Sequence, residues 1–426
     1  MTSFYIEDNI YIENKFCVKE KKMLKSYKYR IYPNSTQRVL IHKTFGCVRY
    51  IYNWGLEQKV KVYKQENKKL TCFDLSNLMV SLKKENEWLS EVSAQALQMS
   101  LRNLDCAFTK FFREKKGFPK FKSKHFSKKS FHNPQNTFVN FDKNKIKIQK
   151  LGWIKTKIDR EFNGKIKTST ISINSSGQYF VSILVDDHKE LPNKPVITEN
   201  TSIGIDLGIK DFLITSDEEK VGNPKPLSKK LRQLKILQRR VSRKKKGGRN
   251  RKKAVKRLSR CHLEVSNIRK DFQHKLSTRL ISENQTICLE TLDVVEMLKN
   301  KRLARLISDV GWGNFVKFLE YKADWKGANI LKIGRYEPSS KTCHVCGTIK
   351  NDLSLQDREW TCDNCKTVHD RDFNAAKNIK NMGLQKQNQN PNNYKNTVGV
   401  TGINACGEAP LGTRGNKKKD NNYTKS

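Results

Sequence analysis

Two CxxC pairs, Cys343-x2-Cys346 and Cys362-x2-Cys365, stand 15 residues apart in a 426-residue chain. Four thiolates at this spacing close a tetrahedron around Zn2+ and leave no position for water, so such a set stabilises a fold and contacts partners without doing catalysis. Redox dithiols or an iron–sulfur site use the same residues. A strongly basic chain with an odd count of 11 cysteines favours a zinc ribbon with one structural Zn2+. His344 and His369 lie nearby, but a complete thiolate set gives them no necessary ligand role.

Three carboxylates are placed to do chemistry. Asp206 ends the apolar strand pattern of GIDLG, Glu290 repeats that arrangement in ICLET, and Asp372 opens the helical pattern RDFNAAKNIKNM. Taken singly each has a plain structural reading: an acid after a strand is a turn residue, and Asp at a helix start is a cap. Converging on one sheet edge, they would hold two Mg2+ ions that activate a water and stabilise the leaving oxygen in phosphodiester hydrolysis. Asp370 points to a different helix face; Asp372 is preferred and Asp370 stays open. GIDLG also resembles the first phosphate loop of actin-like and sugar-kinase ATPases. The further Gly-rich loops of such proteins are missing, and the glycine pair Gly247-Gly248 lies in a basic run.

The 85 Lys and Arg against 42 Asp and Glu leave a formal net charge of +43, which attracts polyanions: nucleic acid or an anionic membrane surface. An ordinary acidic or neutral metabolic enzyme is excluded. With 36% hydrophobic residues, 20 Phe and 13 Tyr, the chain has material for real cores, and its length suggests roughly two to four folded units. No run of 18 apolar residues predicts a membrane span. Residues 1–23 carry early acids and no continuous apolar segment, which argues against a secretory signal and for a reducing compartment.

The elements that must position these residues follow from periodicity. YKYRIY (27–32) alternates as a strand, Pro33 to Thr36 supply a turn with capping residues, and helical stripes follow at Leu40, Val48, Ile51 and Leu56 and again at Leu97, Leu101, Leu104 and Phe108. Residues 113–132 interleave bases with Phe118, Phe121, Phe126 and Phe131, suited to phosphate contact and base stacking, or to a plain solvated loop. Strands are predicted between 138 and 185, with a hairpin turn at Ser176-Gly177. Residues 225–260 hold 18 Lys and Arg and no acid around an apolar stripe, which predicts a basic helical hairpin broken at Gly247-Gly248 and suited to tracking a nucleic-acid backbone. Strands TICLET (286–291) and ILKIGRY (330–336) flank an amphipathic helix near Phe315, so a mixed α/β sheet is expected. From Gly383 the Asn/Gln/Lys-rich tail is expected to be largely disordered.

Four stretches together resemble the TnpB-type proteins of insertion sequences: YKYRIYPNSTQ with FGCVRYIYNW (27–54), FFREKKGFPKFKSK (111–124), GIDLGIKDFLITS (204–216), and SSKTCHVCG through WTCDNCKTVHDRDFNAAKNI (339–379). The likeness runs from about Met23 to Gly407 and includes TGINACGE; Met23 is a candidate start. It implies a multidomain α+β RNA-guided DNA endonuclease related to Fanzor proteins and type V CRISPR effectors. Its RNase H-like (RuvC) α/β nuclease domain carries an inserted zinc ribbon, and an N-terminal wedge β-barrel carries a helical recognition insertion. The boundaries implied are an N-terminal extension at 1–23, the first barrel strand at 24–34, the recognition helices at 35–125 and the barrel at 126–197. The nuclease domain follows at 198–340 with its basic hairpin at 225–282, then the ribbon at 341–366, a last RuvC helix at 367–382 and a basic tail at 383–426.

By this resemblance Asp206, Glu290 and Asp372 are the catalytic acids and ligands of two Mg2+, and Cys343, Cys346, Cys362 and Cys365 hold Zn2+. The partners are guide RNA and target DNA, with no membrane, and the protein is expected to be a monomer on its RNA. Phe118, Phe121, Lys122, Arg239, Arg240, Arg243, Lys244 and Lys245 are expected to touch nucleic acid, and Arg371 and Lys341 to assist near the scissile phosphate. The compartment expected is the bacterial cytoplasm at the nucleoid, or the nucleus or infected host for a eukaryotic or viral source. The rival functions are a nuclease-inactive, RNA-guided DNA-binding repressor, a DNA-strand transferase (transposase) and a zinc-ribbon scaffold. Against the second stands the want of an identifiable separate helix-turn-helix.

Overall fold

A computed structural model describes residues 22–389 apart from 126, 336, 355 and 356. Residues 1–21 of the expected extension, Phe126 and the TGINACGE motif lie outside the described residues. Among the described residues the protein is mixed α/β, with three sheets, and no helix is long and apolar enough to cross a membrane.

The first sheet grows from strict alternation. Strand β1 (Lys22–Tyr32) buries Tyr29 and Ile31 while Tyr32 is exposed. Lys22 already pairs with Glu190, so the strand starts two residues before the boundary expected at 24. Asn34 then caps helix α1 (Ser35–Glu66) reciprocally: its Oδ1 accepts the Gln37 N–H at 2.8 Å, and Gln37 Oε1 accepts the Asn34 N–H at 3.0 Å. Helices α2 (Cys72–Glu85) and α3 (Ala94–Arg113) share a core with α1 built on Ile51, Leu56, Leu75, Leu97 and Leu101. Gly55 admits Leu101, whose Cδ2 would lie 2.8 Å from a Cβ there.

Strands β2 (Ser130–Asn133), β3 (Phe138–Asn140), β4 (Lys145–Ile148), β5 (Gly152–Lys157), β6 (Lys165–Ile173) and β7 (Tyr179–Glu190) complete an antiparallel sheet of order β2-β6-β7-β1-β5-β4-β3. The β6–β7 turn is set by Gly177 at φ 81° and by Asn174, whose Oδ1 accepts the Gln178 N–H at 2.9 Å.

The second sheet positions the carboxylates. Strands β8 (Ser202–Leu207), β9 (Asp211–Thr215) and β10 (Lys220–Gly222) form an antiparallel meander, joined in parallel by β11 (Thr286–Glu290) and β12 (Asn329–Ile333) in the order β10-β9-β8-β11-β12. Between β10 and β11 stand α4 (Pro226–Ser242) and α5 (Arg249–Glu283), whose seam is Leu234, Cys261 and Val265. After β11 come α6 (Val294–Met297), α7 (Ala304–Val310) and α8 (Trp312–Lys326). One sheet face, carrying Ile203, Ile205, Ile287 and Leu289, is covered by Leu280 of α5, Ile307 of α7 and Phe315 of α8.

Strands β13 (Glu359–Thr361) and β14 (Val368–Asp370) form a hairpin in the cysteine module, and α9 (Arg371–Gln389) then covers the other face through Ile379, Cys288, Leu331 and Ile333. The approach of α9 depends on two glycines. A Cβ at Gly204 would meet the Ala376 carbonyl oxygen at 2.1 Å, and one at Gly383 would meet Cys288 Sγ at 2.9 Å. This corrects the expected start of the tail at 383. The helix continues to Gln389 because Gly383 serves close packing on β11 and does not end the helix.

Candidate active site and metal module

Strand periodicity does the first positioning. On β8, Gly204 faces α9, and Asp206, two residues on, shares that face. On β11, Cys288 meets Gly383 of α9, and Glu290 shares its face in turn. The two strands are parallel with Ile205 opposite Leu289, so both acids stand at C-terminal strand ends, one residue past the last paired position. In open α/β sheets these ends border the crevice where ligands bind. Asp372 joins from the first turn of α9.

Asp206 feels the other two acids. Burial, then the charges of Glu290 and Asp372, push the Asp206 carboxyl up to about 7, against a pull downward from Arg371 and the Leu207 N–H. Glu290 is raised by burial, opposed by the Ser339 hydroxyl, which donates to its Oε1 at 2.5 Å. Asp372 takes Arg358 Nη1 at 3.2 and 3.3 Å on its two oxygens. Asp370 is engaged differently: its Oδ1 caps α9 by accepting the N–H groups of Asp372 and Phe373, and its Oδ2 takes Lys220 Nζ at 2.9 Å. Burial works to raise Asp370, but these partners outweigh it and hold the carboxyl below its ordinary range. Hard, oxygen-seeking Mg2+ suits carboxylate ligands, and a cation beside Asp206 would offset the charges that raise it.

Of the two bases expected near a scissile phosphate, Lys341 Nζ is turned to the Asn351 carbonyl at 2.8 Å. Arg371 donates to the Ser354 carbonyl at 2.8 Å, yet its charge still reaches Asp206.

The cysteine module is built from two equivalent knuckles. Cys343 N–H donates to the Thr348 carbonyl and Gly347 N–H back to Cys343; Cys362 N–H donates to Thr367 and Lys366 N–H back to Cys362. The ligand atoms of Cys343, Cys346, Cys362 and Cys365 all lie within 4.8 Å of one another. Two of the sulfur pairs stand at 3.5 and 3.6 Å. Four sulfurs on a tetrahedral zinc at about 2.3 Å stand roughly 3.8 Å apart, so the set fits one Zn2+. Buried His369 lies with Nε2 3.1 Å from Cys343 Sγ, placed to hydrogen-bond the sulfur. Among the described residues no second group of three or more ligands is drawn together in this way, and Asp206, Glu290 and Asp372 stand farther apart than the cysteines.

The candidate nucleic-acid residues lie away from the carboxylates in sequence. Phe118 and Phe121 are exposed, and Phe118 also packs edge-on against Phe108 and Phe111. Lys122 is half-buried, its Nζ 3.6 Å above the Tyr52 ring and its backbone held by Asn53. Arg239, Arg240, Arg243, Lys244 and Lys245 are all exposed around the end of α4. The hairpin itself is fastened by buried Asp309, which accepts the N–H groups of Leu227 and Ser228 at 2.9 and 3.0 Å and pairs with Arg269 at 3.2 Å.

Several residues here had escaped the sequence reading. Ser339, Arg358 and Asp309 had no local signal, because their partners are 49, 14 and more than 80 residues away. Arg49 belongs with them: with His42, Lys122, Lys124, Lys128 and Lys129 it lines a basic cleft of about 330 Å3. Asn374 and Asn378 did carry one, as a polar i,i+4 pair on an otherwise apolar helix face.

Family profiles match three parts of the chain. One described as "Probable transposase" covers residues 181–301, "Cas12f1-like, TNB domain" covers 312–379, and "Helix-turn-helix domain" covers 23–69. A Streptomyces pristinaespiralis protein named "Putative RNA-guided DNA endonuclease" is similar at 39% identity over 372 residues, 85% of this chain and 90% of that one. The chain belongs to the TnpB family. "Putative RNA-guided DNA endonuclease InsQ" of Escherichia coli strain K12 is 28% identical over 379 residues, 85% of this chain and 93% of that one. "TnpB-like protein L79" of Acanthamoeba polyphaga mimivirus is 29% identical over 233 residues, 51% of this chain and 44% of that one. In this TnpB-family chain, residues 23–69 form one strand and one uninterrupted helix of 32 residues, without the turn that the third profile's description names.

Proposed function

We propose that this TnpB-family protein is an RNA-guided DNA endonuclease that hydrolyses phosphodiester bonds of guide-matched DNA, with Asp206, Glu290 and Asp372 as its catalytic acids. The observation that carries this reading is the placement of Asp206 and Glu290 at neighbouring parallel strand ends and of Asp372 at a helix start, where the charges of Glu290 and Asp372 reach Asp206. Two Mg2+ ions held there would supply the Lewis acidity that activates water and stabilises the leaving oxygen. Asp206 and Glu290 would hold the cations from rigid strands, and Asp372 from a helix packed on β8 through Gly204.

The five-stranded sheet with α9 is read as the RNase H-like nuclease core and the cysteine module as its inserted zinc ribbon. The seven-stranded sheet is read as the wedge, and α1 to α3 as the recognition insertion. Guide pairing reads the sequence, while the protein reads backbone shape and a short adjacent motif. The basic residues at the end of α4 and the exposed Phe118 and Phe121 supply phosphate contact and stacking.

Expression with the DNA flanking the gene, followed by sequencing of the RNA that co-purifies, tests the guided reading. One discrete RNA species encoded beside the gene is expected. Protein carrying no specific RNA contradicts it.

A further inference from the structure

The segment from Ser339 to His344 joins the two halves of the site described above, and beside the turns of its own loop and knuckle it is tied to helix α9 and to Glu290. Ser339, 6% exposed, donates its hydroxyl to Glu290 Oε1 at 2.5 Å. Its carbonyl accepts Asn378 Nδ2 at 2.7 Å, and the same amide nitrogen reaches the Thr342 carbonyl at 2.5 Å. One turn earlier, Asn374 Nδ2 donates to Thr342 O at 2.7 Å, while its Oδ1 accepts the His344 N–H at 3.0 Å. Both asparagines are buried, at 1% and 4% exposed, and both lie on the helix that begins with Arg371 and Asp372. Cys343, a candidate zinc ligand, sits between Thr342 and His344.

We propose that Ser339 is a positioning residue for the cutting centre, aiming Glu290 through its hydroxyl, and that Asn374 and Asn378 hold Ser339 in place from the helix that carries Asp372. The cysteine module and the carboxylates then share one buried hydrogen-bond network and cannot shift independently. Outer partners of this kind fix the orientation of a ligating carboxylate, and their loss weakens metal binding about 10–100-fold. The inference rests on the reading of Asp206, Glu290 and Asp372 as a divalent-cation centre.

The test takes full-length protein with its co-purified RNA, uses Mn2+ as the probe and counts unbound Mn2+ by its EPR signal. Asp206→Ala identifies the ions that belong to the centre. Ser339→Ala is expected to weaken those ions about 10–100-fold with zinc content and RNA binding as in the parent. Asn378→Ala, which leaves the hydroxyl in place, is expected to weaken them in the same direction. Parental Mn2+ affinity in both variants, soluble and zinc-loaded, overturns the inference and leaves the centre standing. Mn2+ binding indifferent to Asp206→Ala overturns the reading of the centre and the inference with it.

Discussion

Arg358 Nη1 lies 3.2 Å from one carboxylate oxygen of Asp372 and 3.3 Å from the other, so the cysteine module neutralises one of the three acids. The Arg358 side chain is 59% exposed, and an ion pair this open is worth about 0.2–1 kcal/mol. A cation arriving at Asp372 competes with it. Arg358→Gln is therefore expected to tighten Mn2+ binding by about two- to fivefold, the upper part of that range expressed as a ratio of affinities. Weaker binding in an Mn2+ titration contradicts this and makes Arg358 a support of Asp372.

The raised Asp206 carboxyl sets a pH dependence. Between the ordinary 3.8 and about 7 the folded protein keeps a proton that the unfolded chain has lost. Stability is therefore lost as pH rises through that window, and the loss is complete above it. Without divalent cations, the parent is expected to melt lower at pH 8 than at pH 5 by more than Asp206→Asn does, and Asp206→Asn is expected to melt higher than the parent at pH 8. Melting curves at the two pH values, with and without Mg2+, check this; equal pH slopes in the two proteins contradict it.

Gly204 makes no chemical contribution, yet its replacement is expected to abolish cutting. A Cβ there meets the Ala376 carbonyl oxygen at 2.1 Å and the Lys380 nitrogen at 2.8 Å, both backbone atoms that cannot turn aside. Gly204→Ala must lift α9, and Asp372 with it, off β8, at about 1–3 kcal/mol or more. Gly222→Ala is the control, since no atom lies within 4 Å of the added carbon. Thermal melts and cutting assays separate the two; parental activity in Gly204→Ala contradicts the account.

The cysteine module is expected to hold one zinc per chain and to depend on it. Cys362→Ser removes one of four closed ligands, and structural zinc supplies folding energy outright. Elemental analysis should then show that zinc is gone, and hydrogen exchange should speed up between residues 343 and 370 while the seven-stranded sheet keeps its protection. Unchanged exchange in the module would mean that its turns stand without metal.

The exposed bases at the end of α4 are expected to act by neutralising phosphates. Replacing Arg239, Arg243 and Lys244 together by Ala should weaken RNA binding uniformly across sequences. The slope of log affinity against log salt should become shallower by about 0.7 for each phosphate of a single strand that the protein no longer neutralises. Binding measured over a salt series decides it, and an unchanged slope removes these residues from the interface.

Much of this was legible along the chain because the signals were local. The capping residues between Pro33 and Thr36 announced the start of α1, Gly247 and Gly248 the break in the basic hairpin, and the apolar runs before Asp206 and Glu290 the two strand ends. What stayed hidden depends on residues far apart in sequence. Gly383 reads as a helix stop until Cys288 is seen beneath it. Helix face alone favours Asp372 over Asp370, and what engages Asp370 shows only through Lys220, 150 residues away, and the cap at the start of α9. Ser339 is an ordinary loop serine until Glu290 is placed opposite it.

The most direct test of the account is Mg2+-dependent cutting of a plasmid library carrying the sequence that matches the co-purified RNA, run for the parent beside Asp206→Ala, Glu290→Gln and Asp372→Asn. The account predicts cutting by the parent that requires both the RNA and the matching target, and loss of cutting in all three variants with target binding retained. Cutting that survives any one of these substitutions, or that proceeds without the RNA, would contradict it.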